Sequence, residues 1–257
     1  MRVKTKVLAI ANQKGGVGKT TTAINLSASL SLASKKVLLI DLDPQGNATT
    51  GSGINKDSAN PSVYQVLLGD SSIDTATMRS QEGGFDVVPA NRHLAGGEIE
   101  LVEIEDRELR LKKALCEVST NYDYVIIDCP PALSLLTING FTAANAVMIT
   151  MQCEYYALEG LRDLVETIKR IRSSFNKKLQ IEGLLRTMYD PRNSLTQQVS
   201  DDLEEHFGDK VYRTVIPRNI RLAEAPSFGL PAVSFDASSR GALAYLDLAR
   251  EVMGHNS

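Results

Sequence analysis

Short apolar runs alternate with longer, helix-like patterns along the chain. Most of the short runs are unbroken by polar residues, which is typical of parallel strands covered on both faces. Strands are predicted over residues 6–11, 36–41, 85–90, 124–130, 146–151, 180–189 and 210–217. Because strands and helices take turns, the pattern predicts an α/β fold with a doubly wound, mostly parallel sheet and helices on both faces.

Four segments carry the helical period. One helix is predicted from about Lys19 to Ala33, and two more for SLTQQVSDDLEEHF and GALAYLDLAREVM. The fourth places five apolar residues on one face, namely Leu158, Leu161, Val165, Ile168 and Ile171. The polar stretch 43–62 is the one long loop-like region, and loops of that length tend to be functional. With no internal repeat and no flexible linker, residues 1–257 are predicted to form a single domain.

A glycine-rich segment, KGGVGKTT at residues 14–21, joins the first predicted strand to the first predicted helix. Gly15, Gly16 and Gly18 allow backbone N–H groups to turn inward around an anion, and the start of a helix attracts phosphate. The common phosphate-loop pattern has a glycine where this chain has Gln13, so the loop deviates from that pattern while keeping its physical basis. We therefore predict a P-loop nucleotide site.

The side chains around this loop suit a nucleoside triphosphate with Mg²⁺. Lys19 would reach the β- and γ-phosphates, and the Thr20 hydroxyl would ligate Mg²⁺. The run YVIIDCPP delivers Asp128 to the carboxyl end of a strand, where ligands of open α/β sheets bind. We predict that Thr20 and Asp128 hold the metal, with Asp128 acting through a bound water molecule.

Two more carboxylates follow the second predicted strand. Asp41 has a structural interpretation, as a strand-end residue, beside the functional one. Asp43 begins a turn with Pro44, and a carboxylate there either orients water against the γ-phosphate or simply forms an Asp-Pro turn. This stretch alone leaves both alternatives open.

Bulk composition excludes several other classes of protein. The chain of 257 residues is 43% hydrophobic and 23% charged, and its net charge of −3 argues against a broadly basic nucleic-acid coat while allowing a local basic patch. Cys116, Cys129 and Cys153 show no metal-ligand spacing and favour a reducing compartment. No apolar stretch approaches the roughly 18 residues of a membrane span. We therefore expect a cytoplasmic protein.

Five longer motifs together resemble one family. The segments KGGVGKTT, DLDPQGNAT, IIDCPP, QCEYYALEG and VIPRNIRLAEAPS are similar to those of the ParA/Soj chromosome-partitioning ATPases, within the MinD/ParA class that has a deviant Walker A loop. The resemblance runs from about Lys6 to Val252. It implies an ATPase that uses ATP and Mg²⁺, forms a homodimer around the nucleotides and binds nucleoid DNA without sequence preference. It also implies release when a ParB-like partner stimulates hydrolysis.

The resemblance assigns roles to single residues. It implies that Lys14 is a signature lysine that crosses to the ATP of the other subunit, and that Asp43 positions the attacking water. Lys14, Lys19 and Asp43 are thus the expected catalytic residues. The expected nucleotide-binding residues are Lys14, Gly15, Gly16, Val17, Gly18, Lys19, Thr20 and Thr21, together with Met188, Pro217 and Asn219 near the adenine. For Met188, packing in the core is an alternative.

Three arginines are the DNA-binding candidates. Arg192 and Arg221 match the family's DNA-binding arginines, and Arg218 is a third. They lie in predicted loop or strand-end segments, where a side chain can reach a phosphate backbone. For any one of them, a solvated surface charge is the alternative.

Two other functions share this kind of nucleotide site. A MinD-like division-site ATPase binds membrane through a C-terminal amphipathic helix, but here Arg240 and Arg250 are balanced by Asp247 and Glu251, which leaves no basic face. A protein of the nitrogenase iron-protein type holds an iron–sulfur cluster between subunits, which requires at least two exposed thiols from each subunit. We expect the DNA-partitioning function without a membrane partner, and the MinD-like function is the alternative.

Overall fold

The computed structural model describes residues 5–155 and 157–254. Residue 156, inside the QCEYYALEG motif, lies outside the described residues. The strands are β1 (Lys6–Ala11), β2 (Val37–Asp41), β3 (Met78–Ser80), β4 (Phe85–Val88), β5 (Tyr124–Asp128), β6 (Ala146–Gln152) and β7 (Gln180–Thr187). They form a seven-stranded sheet in the order β3-β4-β2-β5-β1-β6-β7. The other neighbours are parallel, whereas β3 pairs antiparallel with β4.

Helices connect the strands and cover the sheet. The described helices are α1 (Lys19–Leu32), α2 (Asn47–Gly51), α3 (Val63–Leu68), α4 (Ile73–Ala76), α5 (His93–Val102), α6 (Arg110–Val118), α7 (Leu135–Ala143), α8 (Ala157–Ser174), α9 (Ser194–Phe207), α10 (Ile220–Glu224), α11 (Ala232–Phe235) and α12 (Arg240–Gly254). Within the described part of the chain, no helix is long and apolar enough to cross a membrane.

Alternate residues of each central strand enter two different cores. Val7 and Ala9 of β1 pack into the core that α3 and α5 to α9 cover, whereas Leu8 and Ile10 pack into the core under α1 and α12. Because both faces of the sheet are buried, its strands are apolar without interruption. The doubly wound, mostly parallel sheet with helices on both faces is confirmed.

Six of the predicted strands are confirmed, with ends that differ by up to two residues. Two features differ from the prediction. The edge strand β3 was not predicted, because the sequence MRS has a single apolar residue. The polar stretch 43–62 is not loop throughout, since it contains the short helix α2.

The predicted strand over 210–217 is wrong. This segment makes isolated bridges beside β7 instead of a continuous ladder. Tyr212 donates its N–H to the Leu184 carbonyl at 3.0 Å. Ile216 donates its N–H to the Arg186 carbonyl at 2.9 Å. Four residues of the segment therefore span the distance that two residues of β7 cover, and the excess bulges away from the sheet.

The bulge is held by the C-terminal helix. The N–H groups of Arg213 and Thr214 donate to the carboxylate of Glu251 in α12, at 2.7 and 3.0 Å. These two N–H groups find a side-chain acceptor instead of a strand, so their hydrogen-bonding capacity is satisfied without a ladder. The apolar pattern of the segment could not reveal a partner that lies in a distant helix.

Candidate nucleotide-binding site

The carboxyl ends of β1, β2, β5 and β7 meet at one edge of the sheet, and the glycine-rich loop lies there. Gly16 and Gly18 have φ angles of 73° and 81°, in the left-handed region that favours glycine. In the described part of the chain, nothing lies within 4 Å of the position that a Cβ atom on Gly15 or Gly16 would occupy. The loop backbone at these positions is therefore open to close approach by a ligand.

The loop leads into α1, a helix of 14 residues. Gly18 is its N-cap residue, and no side chain of the described residues caps the first turn. The first N–H groups of a helix have no partner within it, and the helix dipole adds positive potential there. The loop and this helix terminus together suit a phosphate group.

Lys19 lies inside the loop. Its residue is 7% exposed, and its Nζ donates to the backbone oxygen of Lys14 at 2.9 Å. Burial lowers the pKa of Lys19, and the charges of Asp128 and Asp43 oppose that shift. The ammonium is thus already held at the loop, beside two carboxylates.

Thr20 and Asp128 form the candidate metal site. The Thr20 hydroxyl donates to Oδ2 of Asp128 at 2.7 Å. The other oxygen of Asp128, Oδ1, is buried and has no hydrogen-bond partner among the described residues. Burial, and then the neighbouring charge of Asp41, raise the pKa of Asp128 well above its ordinary value. A hydroxyl beside a carboxylate with a free buried oxygen is a donor set that fits Mg²⁺.

Asp41 holds the turn that carries Asp43. It lies beside Asp128 in the register of β2 and β5 and is completely buried. Its carboxylate accepts hydrogen bonds from the N–H of Asp43 at 3.0 Å and from the N–H and hydroxyl of Thr49 at 2.8 and 2.7 Å. Burial raises the pKa of Asp41 to about 6. These contacts favour the structural interpretation of Asp41.

Asp43 is half-buried at the start of its turn. Its carboxylate accepts the N–H of Gln45 at 2.9 Å, and its carbonyl accepts the N–H of Gly46 at 2.8 Å. Asp43 thus makes the contacts of a turn-forming residue while its charge also acts on Lys19. The role in orienting water stays a prediction.

Lys14 is at the surface. Its Nζ pairs with Oε2 of Glu154 at 2.5 Å, and the two side chains are 57% and 52% exposed. Its backbone N–H donates to the side-chain oxygen of Asn12 at 2.9 Å. Of the two lysines in the loop, Lys19 therefore points inward and Lys14 points outward.

The adenine candidates lie around the end of β7. Met188 has a φ angle of 49°, which is uncommon for a residue with a side chain, and Tyr189 bridges to Pro217. Asn219 caps α10 by accepting the N–H of Arg221 at 2.9 Å. Their role in binding adenine stays a prediction.

A cavity of about 460 Å³ lies beside the adenine candidates Pro217 and Asn219. It is separate from a cavity of about 690 Å³ next to the C-terminal helix. The smaller cavity is lined by Pro217 and Asn219, and by three exposed arginines: Arg192, Arg218 and Arg240. Adenine candidates and DNA candidates are therefore neighbours. Arg240 is the first residue of the C-terminal helix α12, and no sequence pattern connects it with this cavity.

The DNA-binding candidates differ in their partners. Arg192 donates from Nε and Nη2 to Asp190 at 2.9 and 2.8 Å, and this pairing lowers the pKa of Asp190 to about 2. Arg221 pairs with Glu224 at 2.9 Å and with Asp236 at 3.3 Å. Among the described residues, neither Arg218 nor Arg240 has an ion-pair partner.

The cysteines are placed differently from what a shared cluster requires. Cys129 and Cys153 are buried in the core, and burial raises the pKa of the Cys153 thiol to about 11. Cys116 is exposed on α6.

Two contacts of the site could not be predicted from the sequence. Glu154 lies within the quoted QCEYYALEG motif, but it is 140 positions from the lysine that it pairs with. Thr187 at the end of β7 contacts the glycine-rich loop across 170 positions. The sequence carries no spacing signal for contacts over such separations.

Residues 5–181 match a family model described as an AAA domain. The chain is 53% identical over 250 residues to the chromosome partitioning protein ParA of Caulobacter vibrioides, covering 96% of this chain and 94% of that protein. It is 54% identical over 247 residues to the sporulation initiation inhibitor protein Soj of Bacillus subtilis, covering 96% and 98%. A solved structure, cobyrinic acid a,c-diamide synthase of Mycobacterium smegmatis with bound ATP analogue and magnesium, is similar with a TM-score of 0.86 and 39% identity, covering 98% and 95%.

Proposed function

Because the chain belongs to the ParA/Soj family of chromosome-partitioning ATPases, we propose that it is an ATP-dependent DNA-segregation ATPase. In this proposal two subunits dimerise around ATP and Mg²⁺, the dimer binds nucleoid DNA without sequence preference, and a ParB-like partner triggers release by stimulating hydrolysis. The observation that carries the proposal is the opposite orientation of Lys19 and Lys14 on one phosphate loop.

Binding would rest on the loop and on Lys19. The N–H groups at the start of α1 would donate to the phosphates, and the Lys19 ammonium would exchange the Lys14 carbonyl for a charged phosphate oxygen. Thr20 and Asp128 would hold Mg²⁺, which neutralises charge on the phosphates when bound. Oδ1 of Asp128 supports this assignment, because it has no hydrogen-bond partner within the described ranges.

Hydrolysis would need a positioned water and added positive charge. Asp43 would accept a hydrogen bond from the attacking water and so orient it toward the γ-phosphate. Asp41 supports that role indirectly, because its carboxylate fixes the backbone N–H of Asp43.

Lys14 would act on the nucleotide of the partner subunit. To do so it must leave Glu154, and a pair between side chains this exposed is worth only about 0.2 to 1 kcal/mol. The intramolecular pair is therefore a weak competitor for a triphosphate. Catalysis by phosphoryl-transfer enzymes depends on charge supplied at the transition state, so a lysine contributed by the partner would make hydrolysis depend on assembly.

DNA binding would rest on Arg192, Arg218 and Arg221, joined by Arg240. Two of the four already carry carboxylate partners, so each subunit would present a weak phosphate-binding patch. A dimer presents two such patches, and linking two weak sites raises the effective affinity. In this proposal, DNA binding would therefore depend on ATP.

The test is retention on unrelated DNA fragments and on anionic liposomes with ATP, ADP or no nucleotide. We expect retention on DNA with ATP alone and no retention on liposomes. ATP-dependent binding to liposomes without DNA would instead support the MinD-like alternative.

Lys14→Ala provides the matched control. This variant should bind ATP as a monomer but lose ATP-dependent dimerisation, measured by light scattering, and with it DNA retention and stimulated turnover. If Lys14→Ala dimerises with ATP and hydrolyses it normally, the proposed action of Lys14 on the partner's nucleotide is wrong.

A further inference from the structure

Thr187 connects the end of β7 to the phosphate loop. It is 2% exposed, and its hydroxyl lies 2.9 Å from the backbone oxygen of Val17 and 3.1 Å from that of Met151. The hydroxyl carries one proton, so it donates to one of these carbonyls at a time. The shorter distance joins it to the loop.

The methyl group and the hydroxyl of Thr187 both face the loop, at adjacent positions. Its methyl carbon lies 3.5 Å from the position that a Cβ atom on Gly18 would occupy, so the methyl group faces this glycine. Its hydroxyl meets the carbonyl of the peptide unit between Val17 and Gly18. Because a trans peptide is planar, fixing this carbonyl toward Thr187 also fixes the N–H of Gly18 on the opposite side.

We infer that Thr187 is a positioning residue for nucleotide binding. Its hydroxyl holds the Val17–Gly18 peptide so that the loop N–H groups are preorganised before the phosphates arrive. Without it, the Val17 carbonyl is free to rotate, and part of the binding free energy is spent on ordering the loop. This inference rests on the proposed function, since it concerns the same nucleotide site.

The chain offers a close control. Thr150 of β6 is completely buried, and its hydroxyl has no hydrogen-bond partner among the described residues. Thr150→Val and Thr187→Val therefore make the same chemical change on neighbouring strands, but only the second removes a contact with the loop. Thr187→Ser keeps the hydroxyl and removes the methyl group.

The measurement is titration of the full chain with fluorescent ATP and Mg²⁺, alongside thermal unfolding. We expect Thr187→Val to weaken affinity about three- to tenfold, the size of one lost hydrogen bond. Thr187→Ser and Thr150→Val should stay within about twofold of wild type, by the same reasoning. A merely structural role would lower the Tm of Thr187→Val without a selective loss of affinity. If Thr187→Val does not fold, Thr187→Ala against Thr150→Ala makes the same comparison.

Unchanged affinity in Thr187→Val, or an equal loss in Thr150→Val, would overturn the inference. Failure of the proposed function is a separate result, because then wild type would not bind ATP or would bind it no better than Lys19→Ala. Wild-type binding that is lost in Lys19→Ala but kept in Thr187→Val would refute the role of Thr187 alone.

Discussion

Removing the inward lysine is the sharpest test of the nucleotide site. Lys19→Ala deletes an ammonium that is buried in the loop and donates to the neutral backbone carbonyl of Lys14. In the complex the same group would face phosphate oxygens instead. The substitution therefore removes one charge-assisted hydrogen bond from binding.

The expected loss follows from that exchange. A hydrogen bond to a charged group is worth about 1.5 to 3 kcal/mol, and about 1.4 kcal/mol corresponds to a factor of ten. ATP affinity should therefore fall about 10- to 150-fold. The fold should survive, because burial already disfavours this charge in the free chain, as the lowered pKa of Lys19 indicates.

The assay is titration with a fluorescent ATP analogue at protein concentrations that keep the chain monomeric. Lys14→Ala is the matched control, since it makes the same change on an exposed side chain of the same loop. It should bind within about twofold of wild type, because loss of an exposed ion pair changes little. Unchanged affinity in Lys19→Ala, or an equal loss in both variants, would refute the opposite roles of the two lysines.

Three further predictions test the carboxylates and the arginines. Asp43→Ala should bind ATP normally but release phosphate about 100-fold more slowly, the usual effect of losing a group that directs proton transfer; a wild-type rate would leave Asp43 as a turn-former. Burial raises the pKa of Asp41 from 3.8 to about 6, so the stability that its protonated form contributes is complete below the lower value and is lost as pH rises through the higher one. In urea without Mg²⁺, the free energy of unfolding should therefore fall more steeply between about pH 4 and pH 6 for wild type than for Asp41→Asn, and equal slopes would contradict this. Arg192→Ala and Arg221→Ala should each reduce the slope of log K against log salt for ATP-dependent DNA binding by about 0.9, equally on unrelated sequences; full retention by the double variant would exclude both residues from the interface.

The sheet and the loop could be predicted because their signals are local. Unbroken apolar runs mark β1 and β5, and a run that ends in Asp128 necessarily brings that carboxylate to the carboxyl edge. The glycines of residues 14–21 predict the loop because glycine can adopt the backbone conformations that such a loop requires. The strands and the loop depend on residues that are neighbours in sequence, so the pattern of residue types predicts them.

The remaining features depend on contacts between distant segments. The segment 210–217 has the composition of a strand, but two of its N–H groups donate to the carboxylate of Glu251 instead of to β7. The sequence offers Arg192 and Arg221 as candidates, but it does not reveal that Asp236, in a different segment, pairs with Arg221. The residues around Thr187 give no indication of its contact with the loop, because threonine is common at strand ends and Val17 is distant in sequence.

The two edges of the sheet bear on how the protein can self-associate. At one edge, β3 is three residues long, and Arg79 on it pairs with Asp86 of β4 at 2.8 Å. At the other edge, the bulged segment 210–217 covers part of the hydrogen-bonding edge of β7. A short charged strand and an irregular neighbour both discourage the addition of a further strand from another molecule. Open-ended growth of the sheet by addition of strands from other copies is therefore disfavoured, which leaves loops and helices as the surfaces available for self-association.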